Sequence, residues 1–491
     1  MKFSRYNLSL PQYPFKDSTL IYNTLTKASV VLSKELKDLI GPPAGSLCHQ
    51  KSLVEEECGV GRDDPSGRLY GGSDPLSKED REYLQELKEL GIIVEDEIDE
   101  GLQLNYWYNK LRFSTVVWNG VIIPTTDCDL GCVYCYQEGA KTTFYMKREV
   151  QEMTVKWFEE KIEKDRPKQV FWVFFGGEPL LDIPAVDFMT SSLKKYCDEK
   201  RVIFQFSIIT NGTNLSEERV KFWNEQGLVS IQVTLDGYEE IHNQRRPFIG
   251  GGKSFSKIFN NILGIVDKTD VILRLNIDAH NLKETPKFLD FLKEHKLEDK
   301  LTIFYGLLLE ADKPLPHQKK YRIVGEEGAQ GILSLRQSAI ERGFKVSEIL
   351  EGGPCIAKSE CSVMIDPRGK IYKCTGHVGL EEFALGGLGD WQSLSRCRTD
   401  LGEEEFAVGE VGSSSKEYEQ KYAQYVGMQL DEECLNCVFA PICLGGCPYK
   451  SYTKFGDPKK KVCEKSYYQT LAKDVLKQMF TEEEIKEKMR K

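Results

Sequence analysis

The amino-acid sequence predicts an α/β protein whose centre is a sheet of parallel strands joined by crossover helices. From about residue 112, six apolar runs of strand length alternate with amphipathic segments of helix length. Because two parallel strands need a connection long enough for a helix, this alternation favours a parallel sheet. A partial (β/α)6 barrel and an open doubly wound sheet both fit the pattern. In either architecture the functional residues lie just beyond the carboxyl ends of the strands.

The elements of this central region follow from their hydrophobic patterns. Apolar runs predict strands at Val116–Ile123, Val170–Phe175, Ile203–Ile209, Val229–Leu235, Val271–Ile277 and Leu301–Leu308. Apolar residues at helical spacing predict helices at Arg148–Lys164, Ile183–Glu199, Ser216–Gln226, Ser254–Val266 and Leu282–Leu297. We therefore place the core domain at residues 112–310.

The N-terminal region, residues 1–111, has a different pattern. Thr19–Tyr22 and Ala28–Leu32 predict the two strands of a β-hairpin. Helical patterns follow at Ser33–Ile40 and Ser77–Leu90, and Ser77 begins an N-terminal capping signal. A further strand is predicted at residues 90–95. The hairpin, the helices and the strand at residues 90–95 together predict a small winged-helix-like domain.

Composition narrows the function. The 491 residues are enough for two or three domains. A formal charge of −10 without a concentrated basic patch argues against a nucleic-acid partner. The N-terminus lacks an apolar signal segment, and no stretch approaches the roughly twenty apolar residues of a membrane span. We therefore expect no membrane association and a cytoplasmic location. Fifteen cysteines in such a chain indicate metal binding or catalysis rather than disulfides.

Three of these cysteines, Cys128, Cys132 and Cys135, have the spacing C-x3-C-x2-C just after the first predicted strand. Three thiolates can hold three irons of a [4Fe–4S] cluster and leave the fourth iron open, whereas an electron-transfer cluster uses four cysteines. The missing ligand predicts that another molecule binds the fourth iron. A partial zinc site or three buried thiols are the alternatives, although structural zinc normally uses paired C-x2-C halves.

Short polar motifs follow the later strands. They are Gly176-Gly177-Glu178-Pro179 after the second strand, Thr210-Asn211-Gly212 after the third, Thr234-Leu235-Asp236-Gly237 at the end of the fourth, and then His242–Pro247. Each motif alone is typical of a turn. Their shared position at strand ends, in series after a three-cysteine motif, makes them specific. Arg274 and Asn276 on the fifth strand are candidates for the site or for structural lining of a barrel.

On these motifs, residues 112–310 resemble a radical S-adenosylmethionine (SAM) core domain. The resemblance implies that the three cysteines hold a cluster whose fourth iron binds the amino and carboxylate groups of SAM. One electron from the cluster would cleave the sulfonium C–S bond and release a 5′-deoxyadenosyl radical that abstracts hydrogen from carbon. Five further residues would contact SAM: Tyr134 at the adenine, Gly177 and Glu178 at the methionyl amine, and Thr234 and Arg246 around the ribose and carboxylate.

Eight more cysteines form a C-terminal array. They are Cys355, Cys361, Cys374, Cys434, Cys437, Cys443, Cys447 and Cys463. Taken alone, the Cys434-x2-Cys437 pair would suit a zinc ribbon, but eight cysteines also suffice for two four-cysteine clusters. Their order, C-x13-G-x4-C, then C-x2-C-x5-C-x3-C, then C, resembles the SPASM domain that follows radical SAM cores.

The SPASM resemblance implies two auxiliary [4Fe–4S] clusters and therefore three clusters in all. The first would use Cys355, Cys361, Cys374 and Cys447, and the second Cys434, Cys437, Cys443 and Cys463. The presence of Cys361 suggests that protein ligates the first cluster fully, which favours electron relay. Direct binding of a substrate thiolate to an open iron stays open as the alternative. We place this domain at residues 351–491, after a linker with a bridging helix at residues 311–350.

With this pattern, residues 1–111 resemble the PqqD-like element that binds leader peptides. The role suits such a domain, because an extended leader can add a strand to an exposed sheet edge. A merely structural N-terminal cap is the alternative. Together the resemblances imply a maturase that abstracts hydrogen from a ribosomally made precursor peptide and installs a crosslink, with a thioether favoured. Its partners would be the precursor peptide with its leader and an electron donor such as flavodoxin or ferredoxin.

Other functions use the same elements. Anaerobic sulfatase maturases, which form formylglycine, resemble this chain but carry an Asp directly after the cysteine that matches Cys374. Here that position is Thr375, which cannot act as a general base at neutral pH. Peptide epimerisation and carbon–carbon crosslinking also stay open. A non-catalytic electron carrier or zinc-binding adaptor is the alternative from another class, and it predicts no cleavage of SAM.

Overall fold

This computed structural model describes residues 1–34, 36, 77–135, 137, 143–308, 325–350, 353–389, 413–481 and 484–485. The predicted helix Ser33–Ile40 lies almost entirely outside these residues. Throughout the described ranges, every helix is too short or too polar to span a lipid bilayer.

The N-terminal region contains a three-stranded antiparallel sheet in the order β2-β3-β4. These strands are β2 (Asn7–Pro11), β3 (Ser18–Asn23) and β4 (Ser29–Ser33), and a separate pair is formed by β1 (Lys2–Phe3) and β5 (Ile93–Val94). Helices follow at Lys78–Glu89 and Glu100–Arg112. The predicted hairpin is confirmed as β3 and β4, and Ser77 caps the first helix. The pattern did not identify β2.

Strand β3 is buried on both faces and attaches this sheet to the C-terminal end of the chain. Leu20 and Tyr22 pack into a cluster with the last long helix, Lys465–Met479. Ile21 points the other way and packs into a cluster with helix Lys78–Glu89. Because successive side chains of a strand alternate between faces, one short strand stabilises two layers.

Six parallel strands form the centre of a ten-stranded sheet. They are β6 (Val117–Ile122), β7 (Gln169–Phe174), β8 (Ile203–Thr210), β9 (Leu228–Thr234), β10 (Asp270–Ile277) and β11 (Leu301–Leu307). Neighbours in the sheet are neighbours in the chain, so the order does not reverse. An open doubly wound sheet requires a reversal at its switch point. The sequential order therefore agrees with the partial barrel.

The five helices predicted between these strands are confirmed to within a few residues, at Arg148–Asp165, Ile183–Lys200, Glu217–Glu225, Phe255–Ile265 and Thr285–Glu294. Helix Glu239–Arg245 was not predicted, and a 3-10 turn lies at Pro179–Asp182. The apolar faces of these helices cover the sheet and form the main core with strand residues that face them, such as Trp172 and Phe206, which are fully buried.

The C-terminal region extends the same sheet in both directions. Strand β12 (Lys345–Val346) joins β11, while β13 (Ser362–Ile365), β14 (Lys370–Tyr372) and β15 (Gly386–Gly387) continue from β6. β13 runs parallel to β6. The remaining helices are Gly325–Glu341, Ser413–Val426, Glu432–Leu435, Ala440–Cys443, Pro448–Phe455 and Lys465–Met479, with 3-10 turns at Ile356–Lys358, Thr375–His377 and Glu381–Phe383.

Candidate active site and cysteine sets

The loop that follows β6 carries Cys128, Cys132 and Cys135, and main-chain hydrogen bonds hold it in place. The amide of Gly131 donates to the carbonyl of Pro247 at 2.8 Å. The amide of Val133 donates to the carbonyl of Arg245 at 3.0 Å. The loop therefore lies beside the segment that ends helix Glu239–Arg245, at the carboxyl ends of the strands, where the sequence predicted the site.

Asp129 fixes the same loop to the carboxyl end of β8. Its carboxylate accepts hydrogen bonds from Asn211 Nδ2 at 2.6 Å and from Thr213 Oγ1 at 2.7 Å. Asn211 Nδ2 also lies 3.9 Å from Sγ of Cys128. The motif predicted after the third strand therefore anchors the cysteine loop, and it offers a hydrogen-bond donor to one of the thiols.

Glu178 joins the turn after β7 to the end of β8. Its fully buried carboxylate accepts hydrogen bonds from the amides of Leu180 at 2.9 Å and Asn211 at 2.6 Å, and from Thr210 Oγ1 at 2.6 Å. Burial raises the pKa of this carboxyl to about 7, although the three donors act to lower it. Because protein donors already contact this carboxylate, its contact with the methionyl amine stays a prediction.

Gly177 lies where two loops approach closely. A Cβ at this position would lie 2.1 Å from the carbonyl oxygen of Asp127 and 2.6 Å from that of Thr126. The next amide, of Glu178, donates to the same Asp127 oxygen at 2.8 Å. Glycine is therefore required here for packing against the cysteine loop, which is a role the sequence motif did not specify.

Tyr134, inside the cysteine motif, is held by side chains from the ends of β9 and β10. Its hydroxyl donates to the Asp236 carboxylate. The same oxygen accepts hydrogen bonds from Arg246 Nη1 at 2.9 Å and from Asn276 Nδ2 at 3.1 Å. The guanidinium carbon of Arg245 lies 4.9 Å from the centre of its ring. These contacts fix the orientation of Tyr134 beside the strand ends.

Thr234 and Arg274 are register partners on β9 and β10. Thr234 is buried at the end of its strand. Arg274 Nε donates to Asn276 Oδ1 at 2.9 Å, and its guanidinium carbon lies 5.2 Å from the ring centre of Phe304. Arg274 therefore lines the barrel and orients Asn276, whereas Asn276 itself reaches the cysteine loop.

A buried charge network lies beneath this site. Arg245 donates from Nε to Asp236 at 3.3 Å, from Nη1 to Asp278, and from Nη2 to the carbonyl of Asn276 at 2.9 Å. Both carboxylates are fully buried. Burial acts to raise the pKa of Asp236, but the Arg245 and Arg246 guanidinium groups hold it below its ordinary value. Asp236 therefore stays ionised and orients the tyrosine hydroxyl.

His242 supports the network as a neutral ring. Its Nδ1 accepts from the amide of Asp236 at 3.3 Å, and its Nε2 lies 3.1 Å from Ser254 Oγ. Burial, with a contribution from Arg246, lowers the pKa of this imidazole to about 3. Since Nδ1 is the acceptor, Nε2 carries the proton and donates to Ser254.

Arg246 fits the carboxylate that SAM would bring. Its Nε is buried without a hydrogen-bond partner among the described residues. Although burial acts to lower it, the pKa of Arg246 is raised well above its ordinary value, chiefly by the Cys132 thiolate and then by Tyr134 and Asp236. A guanidinium with a spare donor next to a cysteine of the motif suits a carboxylate bound beside the open iron. The three thiols and Arg246 therefore fit a [4Fe–4S] cluster with SAM.

Within the described ranges, no three His, Cys, Asp or Glu side chains converge on the position of a single metal ion. Cluster thiolates each bind a different iron, so they lie further apart than the ligands of one zinc ion.

Three C-terminal cysteines come together beside β14. Burial raises the pKa of the Cys374 thiol to about 12, and the neighbouring Cys447 and Cys355 thiolates act in the same direction. Cys447 likewise adds to the effect of burial in raising the pKa of Cys355. We call Cys355, Cys374 and Cys447 the first cysteine set.

Cys361, the fourth predicted ligand of this set, directly precedes β13 and packs into a different cluster from Cys374. Cys361, Val363 and Ile365 pack into the main core, while Met364 packs into the cluster that contains Cys374. Alternation along β13 explains why Val363 and Met364 enter different clusters, and Cys361 packs with Val363. The role of Cys361 as a ligand of the first cysteine set stays a prediction.

The surroundings of Cys361 agree with this placement. The thiol is 2% exposed, and burial raises its pKa to about 12. The charged groups that also act on its pKa are Asp165, Glu360, Lys373 and Lys161. Asp165 and Lys161 belong to helix Arg148–Asp165, which covers the outer face of β6. Lys373 also acts on the pKa of Cys355, so the two thiols share one charged neighbour.

The second cysteine set is Cys434, Cys437, Cys443 and Cys463. Cys443 adds to the effect of burial in raising the pKa values of Cys434 and Cys437, and Cys463 acts on Cys437 as well. The structure thus brings together the four residues that the SPASM resemblance grouped. They fit the ligands of a second auxiliary cluster.

The sequential parallel strands and the cysteine loop at their carboxyl ends define a class, the enzymes that cleave SAM at a [4Fe–4S] cluster. A comparison with protein families agrees, since residues 122–304 match the family described as the Radical SAM superfamily. The chain therefore contains a radical SAM domain at these residues, which argues against the non-catalytic carrier or adaptor.

Similar proteins cover more of the chain. The cysteine-type anaerobic sulfatase-maturating enzyme of Clostridium perfringens (strain 13 / Type A) is 24% identical over 355 residues, which are 66% of this chain and 86% of the relative. The radical SAM cyclopropyl synthase TigE of Paramaledivibacter caminithermalis is 22% identical and covers 68% of this chain and 69% of its own. A solved structure described as native anSMEcpe with bound AdoMet and Kp18Cys peptide has the same fold, with a TM-score of 0.56, 18% identity, and coverage of 74% of this chain and 98% of that one.

The sequence reasoning did not select Asp236, Arg245 or Asp278 as site residues. Asp236 precedes Gly237 and reads as a turn residue, and Arg245 stands next to the arginine that was selected. Their pairing depends on the ends of β9 and β10 meeting helix Glu239–Arg245 in space, for which the sequence alone carries no signal.

Proposed function

We propose that this enzyme crosslinks a ribosomally made precursor peptide through a cysteine sulfur and forms a thioether. The observation that carries the proposal is that Cys361 packs into the main core while Cys374 packs into another cluster, which leaves three thiols in the first cysteine set. Three thiolates leave one iron of an auxiliary cluster for an outside ligand. A substrate thiolate suits that position, since thiolate is the ligand that these irons prefer.

The chain's own residues have distinct tasks in this proposal. Cys128, Cys132 and Cys135 hold the SAM cluster, and Arg246 binds the SAM carboxylate with its spare donor. When bound, the SAM cluster supplies the radical that abstracts hydrogen, and the auxiliary clusters accept the surplus electron. Tyr134 stays in place through the ionised Asp236.

The N-terminal sheet supports a peptide substrate. β4 is an edge strand, and its residues are mostly exposed or half-buried, whereas the other edge strand, β2, is mostly buried. An extended leader can pair with the free main-chain groups of such an edge. The relatives add support, because one is a sulfatase-maturating enzyme and the similar solved structure contains a Cys-bearing peptide.

The test is anaerobic incubation of the reconstituted full-length enzyme with SAM, a reductant and a short Cys-containing peptide encoded beside its gene. We expect 5′-deoxyadenosine, a peptide that has lost a pair of hydrogen atoms per crosslink, and one fewer alkylatable thiol. Cys132→Ala should abolish all three. 5′-Deoxyadenosine formed with all thiols still alkylatable would contradict the thioether proposal.

Iron analysis tests the ligand assignment separately. Cys361→Ala should retain the iron content of the wild-type enzyme, because this thiol lies in the main core. Cys374→Ala should lose the iron of the first auxiliary cluster. Equal loss of iron in the two variants would show that Cys361 is a ligand, and electron relay would then be favoured over thiolate binding.

Formylglycine formation is the second candidate, because the C. perfringens sulfatase-maturating enzyme matches 66% of this chain. The aldehyde product distinguishes it, since a hydrazide reagent captures an aldehyde and leaves a thioether unchanged. Thr375 begins a 3-10 turn directly after Cys374 and supplies no carboxylate there. We therefore expect no hydrazide-reactive product from a Cys-containing sulfatase peptide.

A further inference from the structure

Lys358 is a buried lysine between the two cysteine sets. It follows Cys355 by three residues, in the 3-10 turn Ile356–Lys358, and its side chain is 2% exposed. Its ammonium donates to the carbonyl oxygens of Leu444 at 2.7 Å and Gly446 at 2.9 Å. A lysine is rarely buried so completely unless its charge is paired.

The two carbonyls belong to the turn that connects the sets. Cys443 is in the second set and Cys447 is in the first, and only three residues separate them. Leu444 and the two glycines after it all have positive φ values, of 49°, 83° and 82°. A Cβ on Gly446 would lie 2.4 Å from the carbonyl oxygen of Val462, which precedes a ligand of the second set. The turn is therefore tightly packed, and Lys358 fastens it from one side.

Thiolates from both sets act electrostatically on this ammonium. Burial lowers the pKa of Lys358, and the thiolates of Cys355, Cys443, Cys447 and Cys434 oppose that effect. Cys355 and Cys447 belong to the first set, and the other two belong to the second. One cation is thus close to both sets, in a buried place where charge interactions are poorly screened.

We propose that Lys358 is a positioning residue shared by the two auxiliary clusters, which fastens the turn between their ligands and sets both reduction potentials with one positive charge. The inference rests on the auxiliary clusters of the proposed function. A nearby positive charge favours the reduced and more negative state of a cluster, so it raises the reduction potential. Removing the charge lowers both potentials together.

The experiment compares Lys358→Met, which keeps the length of the side chain without the charge, with Lys358→Arg, which restores a cation. Lys459→Met is the control, since Lys459 is exposed. All are made in the full chain with Cys128, Cys132 and Cys135 changed to Ala, so that only the auxiliary clusters contribute. Iron content and the two reduction potentials are measured by EPR-monitored redox titration.

We expect both potentials to move to more negative values in Lys358→Met, to return in Lys358→Arg, and to stay unchanged in the control. If Lys358→Met loses iron from both cysteine sets and Lys358→Arg retains it, the shared role is supported. If both variants lose the iron, the proposal is overturned. A potential shift or an iron loss that affects one cluster alone, or neither cluster, also overturns it. A wild-type chain that holds only the SAM cluster would overturn the proposed function as well.

Discussion

Replacing Gly177 by alanine should damage the cysteine loop without touching any thiol. The added Cβ would lie 2.1 and 2.6 Å from the carbonyl oxygens of Asp127 and Thr126, well short of an ordinary contact of 3.4–4 Å. Both obstacles are backbone atoms, and the loop that contains them is fastened to neighbouring segments. Inserting a methyl group into a packed region costs about 1–3 kcal/mol, and we expect the upper end because neither side can move freely.

Gly264→Ala provides the matched control. This glycine lies in helix Phe255–Ile265, and a Cβ there would meet nothing within 4 Å. The same substitution should therefore stabilise the protein by about 0.5–1 kcal/mol, because alanine favours the helix and restricts the unfolded chain.

The assay for both variants is urea unfolding under anaerobic conditions, together with iron content and 5′-deoxyadenosine formation from SAM. Gly177→Ala should lower the urea midpoint and reduce both the iron content and the cleavage of SAM. A Gly177→Ala enzyme with the wild-type midpoint and iron content would refute the reasoning, since the loops would then have room that the structure does not show.

Three further predictions concern the charges beneath the site. Asp278→Asn should lower the free energy of unfolding in urea by about 3 kcal/mol, because it weakens the buried pair with Arg245. The control Lys221→Gln, which breaks an exposed pair, should change it by less than about 1 kcal/mol. Equal effects of the two substitutions would contradict a stabilising role of the buried pair. His242 has a pKa of about 3 in the folded protein and near 6.5 in the unfolded chain, so the unfolded chain binds the extra proton between these pH values. The free energy of unfolding therefore falls as the pH drops, by about 3 kcal/mol near pH 4.5. The His242→Gln variant should lack this part of the pH dependence, and identical profiles for variant and wild type would rule out the contribution of His242. Arg246→Gln should weaken the binding of SAM about tenfold to a hundredfold, since a charged hydrogen bond is worth about 1.5–3 kcal/mol. Equilibrium dialysis measures the affinity, and the iron content should stay unchanged. An unaltered affinity would exclude the contact between Arg246 and the SAM carboxylate.

The strands and helices of the barrel could be predicted because their residues follow simple periods. β8 was predicted at Ile203–Ile209 and runs to Thr210, since its inward residues alternate with outward ones throughout. β2 was missed because its five residues, Asn7–Pro11, include Ser9 and end in a proline. Tertiary packing makes it a strand, because Leu8 and Leu10 both enter a core that includes the distant helix Lys465–Met479.

The site was predictable where a residue's chemistry alone decides its role. The cysteine motif indicated a cluster because thiolates at that spacing have few other uses. Cys361 shows the limit, because a spacing pattern records order along the chain and ignores which core a residue packs into. Cys361 directly precedes β13 and packs with Val363 and Ile365 in the main core, which the cysteine spacing does not reveal.

The pairing of β6 with β13 has a consequence for how this protein can be made and divided. β6 is the first strand of the barrel, yet its second neighbour comes from the cysteine-rich region far along the chain. Until that region emerges from the ribosome, β6 is an open edge with unpaired amide and carbonyl groups, and such edges recruit other chains. A fragment ending before residue 362 would keep this edge permanently. The catalytic barrel and the auxiliary region are thus poor candidates for separate expression or for exchange between relatives.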